Sequence, residues 1–120
     1  MNKYKLSLSP IKLGKVLLKN KIVCSPVGIN MSETNGSITD KEIDYFENLS
    51  KNNLGMIIVG NATVSNMGKG TLNEIVIGKP YHLPQLKKLA NKIKNNGSVA
   101  CIQIAHKGAQ GNSKYTGERV

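Results

Sequence analysis

The chain of 120 residues contains few of the residue types that build several common kinds of functional site. It has two cysteines, no tryptophan and one phenylalanine. Cys24 and Cys101 lie far apart and form no Cys-x-x-Cys pair, so we expect two buried free thiols and no zinc site. No apolar run is long enough to span a bilayer, and no signal peptide is recognisable. The sequence therefore predicts a soluble, cytoplasmic protein with no membrane partner.

Acidic residues are also scarce, because seven Asp and Glu stand against 17 Lys and Arg, a formal net charge of +10. Such an excess is typical of proteins that bind nucleic acid. However, the lysines are spread along the whole chain, and the few aromatic residues do not alternate with them as a base-stacking surface requires. We expect no nucleic-acid partner. A small basic binding module is the alternative, and salt-sensitive retention on nucleic acid would reveal it.

Three short apolar segments, residues 22–25, 56–59 and 99–104, are predicted to be adjacent parallel strands in that order. Each is followed by a small, polar or glycine-containing loop. In α/β proteins the chemistry is usually built where parallel strands end. The three strand ends are therefore predicted to face one ligand.

Two helices are predicted between these strands. Thr39 and Glu42 have the spacing of a capping box, in which the Thr39 hydroxyl accepts from an early helix amide and Glu42 reaches back to the Thr39 amide. The second helix is predicted at residues 83–96, with His82 exposed before it and Gly97 at its end. The acidic residues of the first helix are expected to form a solvated face; they are Asp40, Glu42, Asp44 and Glu47.

The strand and helix alternation predicts a parallel sheet with right-handed crossovers. A doubly wound dinucleotide fold should show a Gly-x-Gly-x-x-Gly turn after its first strand, and only Gly28 and Gly36 occur there. A (β/α) barrel is therefore favoured, with residues 65–80 as a long loop of its active face. Residues 11–18 are predicted to form a short hairpin that covers the bottom of the barrel, an ordinary surface hairpin being the alternative.

Several motifs, in the same order and at similar spacing over nearly the whole chain, resemble the Old Yellow Enzyme family of FMN-dependent oxidoreductases. The closest similarity is to its NADH:flavin oxidoreductase and 2,4-dienoyl-CoA reductase-like branch. Each motif is short, and together they are specific. They are Leu8-Ser-Pro-Ile-Lys-Leu-Gly14, Leu18-Lys-Asn-Lys-Ile-Val23, Ser25-Pro-Val27, Tyr45-Phe46, Gly55-Met-Ile-Ile-Val59, Gly68-Lys-Gly70 and Gln103-Ile-Ala-His106.

The resemblance implies which residues contact FMN at the first strand end. The loop after this strand lies against the flavin ring in the family, and its members here are Ser25, Pro26, Val27 and Gly28. The family often has Thr or Cys at the last of these positions, where the side chain tunes the flavin. Gly28 has no side chain, so we expect only backbone contacts from it.

The resemblance also implies contacts from the second and third strand ends. Asn61 takes the position of a small flavin-contacting residue, with Gly60 or Ala62 as alternatives if the register shifts by one. Gln103 matches a glutamine that contacts the pyrimidine edge of the flavin, and its alternative role is a satisfied polar residue at a strand end. His106 is expected to be structural and bonded to a nearby loop, because the arginine usual after it is absent.

A complete (β/α)8 barrel needs about 250 residues, so the chain is interpreted as a partial TIM barrel of about three parallel strands and two helices. Residues 1–120 are expected to be the N-terminal fragment of an FMN-binding domain, with a hairpin cap at 1–21. The resemblance implies NAD(P)H as reductant and a small-molecule substrate, an activated alkene or enoyl compound. A truncated, inactive remnant is the alternative. An open sheet edge predicts self-association, and no catalytic residue or metal site is identified.

Overall fold

The computed structural model describes residues 3–116, so residues 1–2 of the predicted cap and 117–120 of the predicted final loop lie outside the described part. The first element is an antiparallel hairpin of β1 (Ile11–Leu13) and β2 (Val16–Leu18). Gly14 turns the chain with a φ of 58°, a conformation that favours glycine. The predicted hairpin is confirmed, and its role as a cover for a barrel stays a prediction.

The central element is β4 (Met56–Thr63), which pairs in parallel with strands on both sides. β3 (Val23–Cys24) lies on one side and β6 (Val99–Ala105) on the other, with Val23, Met56 and Val99 in register. The predicted parallel order of these three strands is therefore confirmed. A fourth strand, β5 (Ile75–Val76), joins the carboxyl end of β4. Within the described residues this sheet does not close into a barrel.

The first helix, α1 (Asp40–Ser50), begins where the capping residue predicts. The Thr39 Oγ1 atom accepts from the Glu42 backbone N–H at 3.1 Å. Ile43 and Phe46, one turn apart, are buried in the core beneath the sheet. The periodicity of apolar residues thus fixes which face of α1 packs on the strands.

The second helix, α2 (Leu83–Asn95), packs beside α1 and against the sheet through Leu89 and Ile93. Pro84 lies in its first turn, and Gly97, with a φ of 79°, follows its end. Both helices contact one common core that contains Ile57 and Val59 of β4. A short helix, α3 (Ser113–Thr116), completes the described chain. No helix within residues 3–116 has the length and apolar character needed to cross a membrane.

The excursion at residues 65–80, predicted to be a loop, contains regular structure. It includes a 3₁₀ turn at Asn66–Gly68, the strand β5, and the start of a second 3₁₀ turn at Pro80–His82. The second turn directs His82 inward, where Nε2 lies 3.3 Å from the Asn35 carbonyl oxygen. The expectation that His82 is exposed is therefore wrong, and burial lowers the pKa of its imidazole.

The expectation of two buried thiols is also wrong for Cys101, which is exposed, while Cys24 is half-buried. Cys101 lies on β6, which has only one paired edge within the described residues. Its side chain lines an open apolar groove of about 220 Å³ between α2 and β6. The thiol of Cys101 therefore lies among apolar side chains and is still accessible to solvent.

Glu42 departs from its expected place on a solvated face, because it is only 1% exposed. Its carboxylate does not reach back to the Thr39 amide and instead accepts from the Ser32 hydroxyl at 2.6 Å. Ser32 belongs to the β3–α1 loop, which folds over the start of the helix. Burial raises the pKa of Glu42, and the Ser32 hydrogen bond lowers it to a smaller extent.

The raised pKa predicts how Glu42 affects stability. Its carboxyl binds protons more tightly when folded, so the free energy of unfolding falls as the pH rises from about 4.5 through the folded pKa. Glu42→Gln keeps an acceptor for Ser32 and removes this fall. The free energy of unfolding, measured by chemical denaturation, should be higher for the variant relative to the wild type at pH 7 than at pH 4. The exposed Glu33→Gln serves as control. An equal difference in the free energy of unfolding between variant and wild type at both pH values would contradict the raised pKa of Glu42.

Candidate functional site

The loops that follow β3, β4 and β6 meet at one edge of the sheet, around Gly60. A Cβ atom at Gly60 would lie 2.9 Å from the Gln103 Cβ and 3.1 Å from the Pro26 Cβ. The three strand ends approach this closely because residue 60 has no side chain. Pro26, Gly60 and Gln103, each from a different strand end, therefore share one surface, as the sequence predicts.

Asn61 joins the same surface through Gly28. A Cβ at Gly28 would lie 3.2 Å from the Asn61 Oδ1 atom. The pairing of β4 with β6 shifts register between Val59 and Ala62, so residues 60 and 61 stand at an irregularity of the strand. The peptide between them is cis. Ala62 is fully buried in the core, which makes Asn61 the residue whose side chain reaches the surface of the site.

Gln103 is exposed, and its amide makes no hydrogen bond within residues 3–116. Its expected contact with the flavin and its alternative role as a satisfied polar residue at a strand end both stay predictions. One amide offers a donor and an acceptor together, which suits a ligand edge that alternates carbonyl oxygens and ring nitrogens.

The loop after β3 presents backbone and small side chains. Ser25, Val27 and Gly28 are exposed, and Pro26 is half-buried against Gly60. An exposed valine beside a glycine leaves a smooth, largely apolar surface whose polar groups are peptide N–H and C=O. This surface is suited to a flat ring that stacks on the loop and takes hydrogen bonds from its backbone.

Two long segments, residues 28–39 and 65–78, are joined beside this surface by buried polar contacts. The Asn73 Nδ2 group donates to the Ser32 carbonyl oxygen at 2.7 Å. The ammonium of Lys69, a fully buried residue, donates to the carbonyl oxygens of Thr34 and Leu72 at 2.5 and 3.2 Å. Burial lowers the pKa of Lys69, and the nearby Glu74 carboxylate opposes the shift. These contacts hold the loop segments in one conformation.

Glu74 is the residue of this region that sequence reasoning missed. It is buried, and its Oε2 atom accepts from the backbone N–H groups of Gly70 and Thr71 at 2.6 and 3.1 Å. Its Oε1 atom accepts from the Asn61 side-chain amide. The one signal in the sequence is a glutamate placed directly before the apolar run that forms β5, where a charged residue needs buried partners.

His106 has a structural environment. Its Nδ1 atom accepts from the Gly108 N–H at 3.0 Å, and a Cβ at Gly68 would lie 2.8 Å from its Cδ2 atom. The ring is therefore packed between two glycine turns, in agreement with the expected bond to a nearby loop. Among the residues described, no group of three or more His, Cys, Asp or Glu side chains is placed to hold a metal ion.

Comparison with known proteins identifies the class. Residues 8–120 match the model of the NADH:flavin oxidoreductase / NADH oxidase family. The chain is 34% identical over 109 residues to the probable NADH-dependent flavin oxidoreductase YqiG of Bacillus subtilis, covering 90% of this chain and 29% of the relative. It is 35% identical over 102 residues to the NADH:acrylate oxidoreductase of Vibrio harveyi, covering 85% of this chain and 10% of that protein.

Solved structures agree with this class. A 2-naphthoyl-CoA reductase in complex with 2-naphthoyl-CoA superposes with a TM-score of 0.91 at 32% identity, covering 96% of this chain and 18% of that chain. The old yellow enzyme from Trypanosoma cruzi superposes with a TM-score of 0.83 at 24% identity, over 93% and 30% of the two chains, and supports the fold alone. The chain belongs to the NADH:flavin oxidoreductase / NADH oxidase family. It spans less than a third of the length of these relatives.

The fold is thus confirmed as a partial TIM-barrel-like structure, and the cofactor of the family is FMN with NAD(P)H as reductant. The residues at the strand ends fit one side of such a ring. They offer a smooth backbone surface at residues 26–28, a close approach at Gly60 and an amide at Gln103 without a partner in the described chain. That these residues bind the cofactor stays a prediction.

The contact between Gly28 and Asn61 leads to a test of the site geometry. Gly28→Ala places a methyl group against the Asn61 carbonyl oxygen, which must move by a few tenths of an ångström. Asn61→Ala removes that oxygen, so the double variant should be more stable than the two single effects predict. We expect a coupling free energy of about 0.5–1 kcal/mol from chemical denaturation. Strictly additive effects would show that the two residues are not in contact.

Proposed function

We propose that this chain supplies the first three strands of an FMN-binding barrel, and that the protein at its natural length is an FMN-dependent NAD(P)H oxidoreductase. The observation that carries the proposal is the convergence of residues 26–28, Asn61 and Gln103 at the carboxyl edge of a parallel sheet. FMN supplies the hydride-transfer chemistry when it is bound. The residues of this chain position and polarise it.

Each group has a separate part in binding. The backbone of Pro26, Val27 and Gly28 would support one face of the ring, with Ser25 at the start of the same loop. The Gln103 amide would pair with the pyrimidine edge, and Asn61 would add a polar contact beside Gly28. These assignments are supported by the shared surface of the three strand ends and by the resemblance of the motifs.

An activated alkene or enoyl compound is the proposed substrate class. Two relatives carry names that include acrylate and 2-naphthoyl-CoA. Acrylate has a carbon–carbon double bond conjugated to its carboxylate, and 2-naphthoyl-CoA has an aromatic ring system conjugated to its thioester carbonyl. Conjugation to a carbonyl makes such a carbon framework an acceptor of hydride, which is the chemistry expected of a reduced flavin.

We also propose that β6 gives the chain a surface for self-association when no further strand covers it. Within the described residues its outer edge is unpaired, and Ile104 is 61% exposed. Exposed strand edges of this kind pair readily with other chains. If the chain is instead an inactive remnant of the barrel, self-association through this surface would be its main property. The two free thiols favour a reducing compartment, and we propose the cytoplasm.

Gln103→Ala tests the proposed site in the protein at its natural length. Loss of the amide leaves polar flavin atoms unpaired at a cost of about 1–3 kcal/mol, so the Kd for FMN should rise by about 5- to 150-fold. His106→Ala is the matched control, because it is an exposed polar residue of the same strand end with a local hydrogen bond. Quenching of flavin fluorescence measures both Kd values. Equal affinities for Gln103→Ala and the wild type would contradict the assignment of Gln103.

A further inference from the structure

The two carboxylate oxygens of Glu74 have different partners. Oε2 accepts from the backbone N–H groups of Gly70 and Thr71, which lie four and three residues earlier in the chain. Oε1 accepts from the side-chain amide of Asn61. Glu74 is 5% exposed, so both interactions are shielded from water. Two backbone donors on one oxygen also hold the carboxylate in a single rotamer.

The chemistry of the carboxylate decides how the Asn61 amide is oriented. An ionised carboxylate only accepts hydrogen bonds, so Asn61 must turn its Nδ2 group toward Glu74. The Oδ1 atom then points the other way, toward Gly28. An unconstrained asparagine could present either atom, because its two ends are nearly the same size. Glu74 removes that choice.

Gly28 provides the space into which this oxygen projects. The Asn61 Oδ1 atom lies 3.2 Å from the position that a Cβ at residue 28 would take. Any larger side chain at residue 28 would therefore press on the amide. The Asn61 Oδ1 atom, from the end of β4, therefore supplies a polar side-chain atom beside Gly28, where the loop after β3 has no side chain of its own.

We propose that Glu74 is a positioning residue that fixes the Asn61 amide so that an acceptor oxygen faces the flavin ring beside Gly28. This inference rests on the proposed function, since it assumes that the ring lies over residues 26–28. Reduction adds electron density to the ring, and the negative end of an amide dipole disfavours that addition. The Glu74 and Asn61 pair therefore lowers the reduction potential of bound FMN.

Glu74→Gln reverses the polarity of the pair without changing its shape. The single carbonyl oxygen of glutamine is needed by the N–H groups of Gly70 and Thr71, so its NH₂ group faces Asn61. Asn61 must then flip, accept through Oδ1 and present Nδ2 to the ring. We expect the affinity ratio of reduced to oxidised FMN to rise about tenfold, which is about 30 mV for a two-electron couple.

Two variants make this measurement specific. Asp44→Asn removes a negative charge from the exposed face of α1 and should leave the potential unchanged. In an Asn61→Ala background, Glu74→Gln should raise the potential by much less, because the amide that carries the reversal is missing and only the loss of the carboxylate charge remains. An unchanged potential in Glu74→Gln, or a shift of the same size in the Asn61→Ala background, would overturn the proposal while FMN binding by the wild type still supported the proposed function.

A second measurement needs no flavin. Solvent exchange of the Asn61 side-chain amide protons, followed by NMR, should be slow in the wild type and fast in Glu74→Gln. The Asn73 amide, which donates to the Ser32 carbonyl oxygen, should stay slow in both and is the internal control. Fast exchange at Asn61 in the wild type would overturn the orientation. If the wild type does not bind FMN, the proposed function and the role of this orientation both fail.

Discussion

The site depends on the pairing of β4 with strands on both of its sides. Because β3 and β6 run parallel to it in register, their carboxyl ends arrive at the same edge of the sheet. The irregular pairing between Val59 and Ala62 then brings Gly60 and Asn61 out of the regular ladder. Gly60 lets the neighbouring loops close to contact distance, and Asn61 places a side chain between them.

Buried polar residues give this edge its rigidity. Lys69, Glu42 and Glu74 are all nearly inaccessible, and each makes hydrogen bonds to groups in the loops. Burial of a charged group is unfavourable unless such partners are present. Lys69 ties the loop after β4 to the loop after β3, Glu42 holds the loop after β3 to α1, and Glu74 holds the turn after β4 to Asn61. Loss of one partner would leave a buried charge without compensation. A surface that is to hold a flat ring benefits from this preorganisation.

Local signals in the sequence predict most of the fold. The hairpin at Gly14, the cap at Thr39 and the two amphipathic helices depend on residues close in the chain, and all are confirmed. The burial of Glu42 and His82 was not predicted, because it depends on how the irregular loop between β3 and α1 folds over the starts of both helices. The strand β5 escaped prediction for the same reason, since two residues carry little periodic signal.

The site was predictable in part. The strand-end motifs and their resemblance to a flavin enzyme family identified the loop after β3, Asn61 and Gln103, and the structure brings these residues together. Glu74 could not be found in this way, since its role arises from a contact with Asn61 across 13 residues and from a turn that wraps around its carboxylate.

The central claim is that the three strand ends of this chain form one face of an FMN site. A crystal structure of the protein at its natural length with FMN bound tests it most directly. The account predicts the ring stacked on the backbone of residues 26–28, with the Gln103 amide at its pyrimidine edge and the Asn61 oxygen on the same side. A flavin bound at another edge of the sheet, out of contact with these residues, would contradict it.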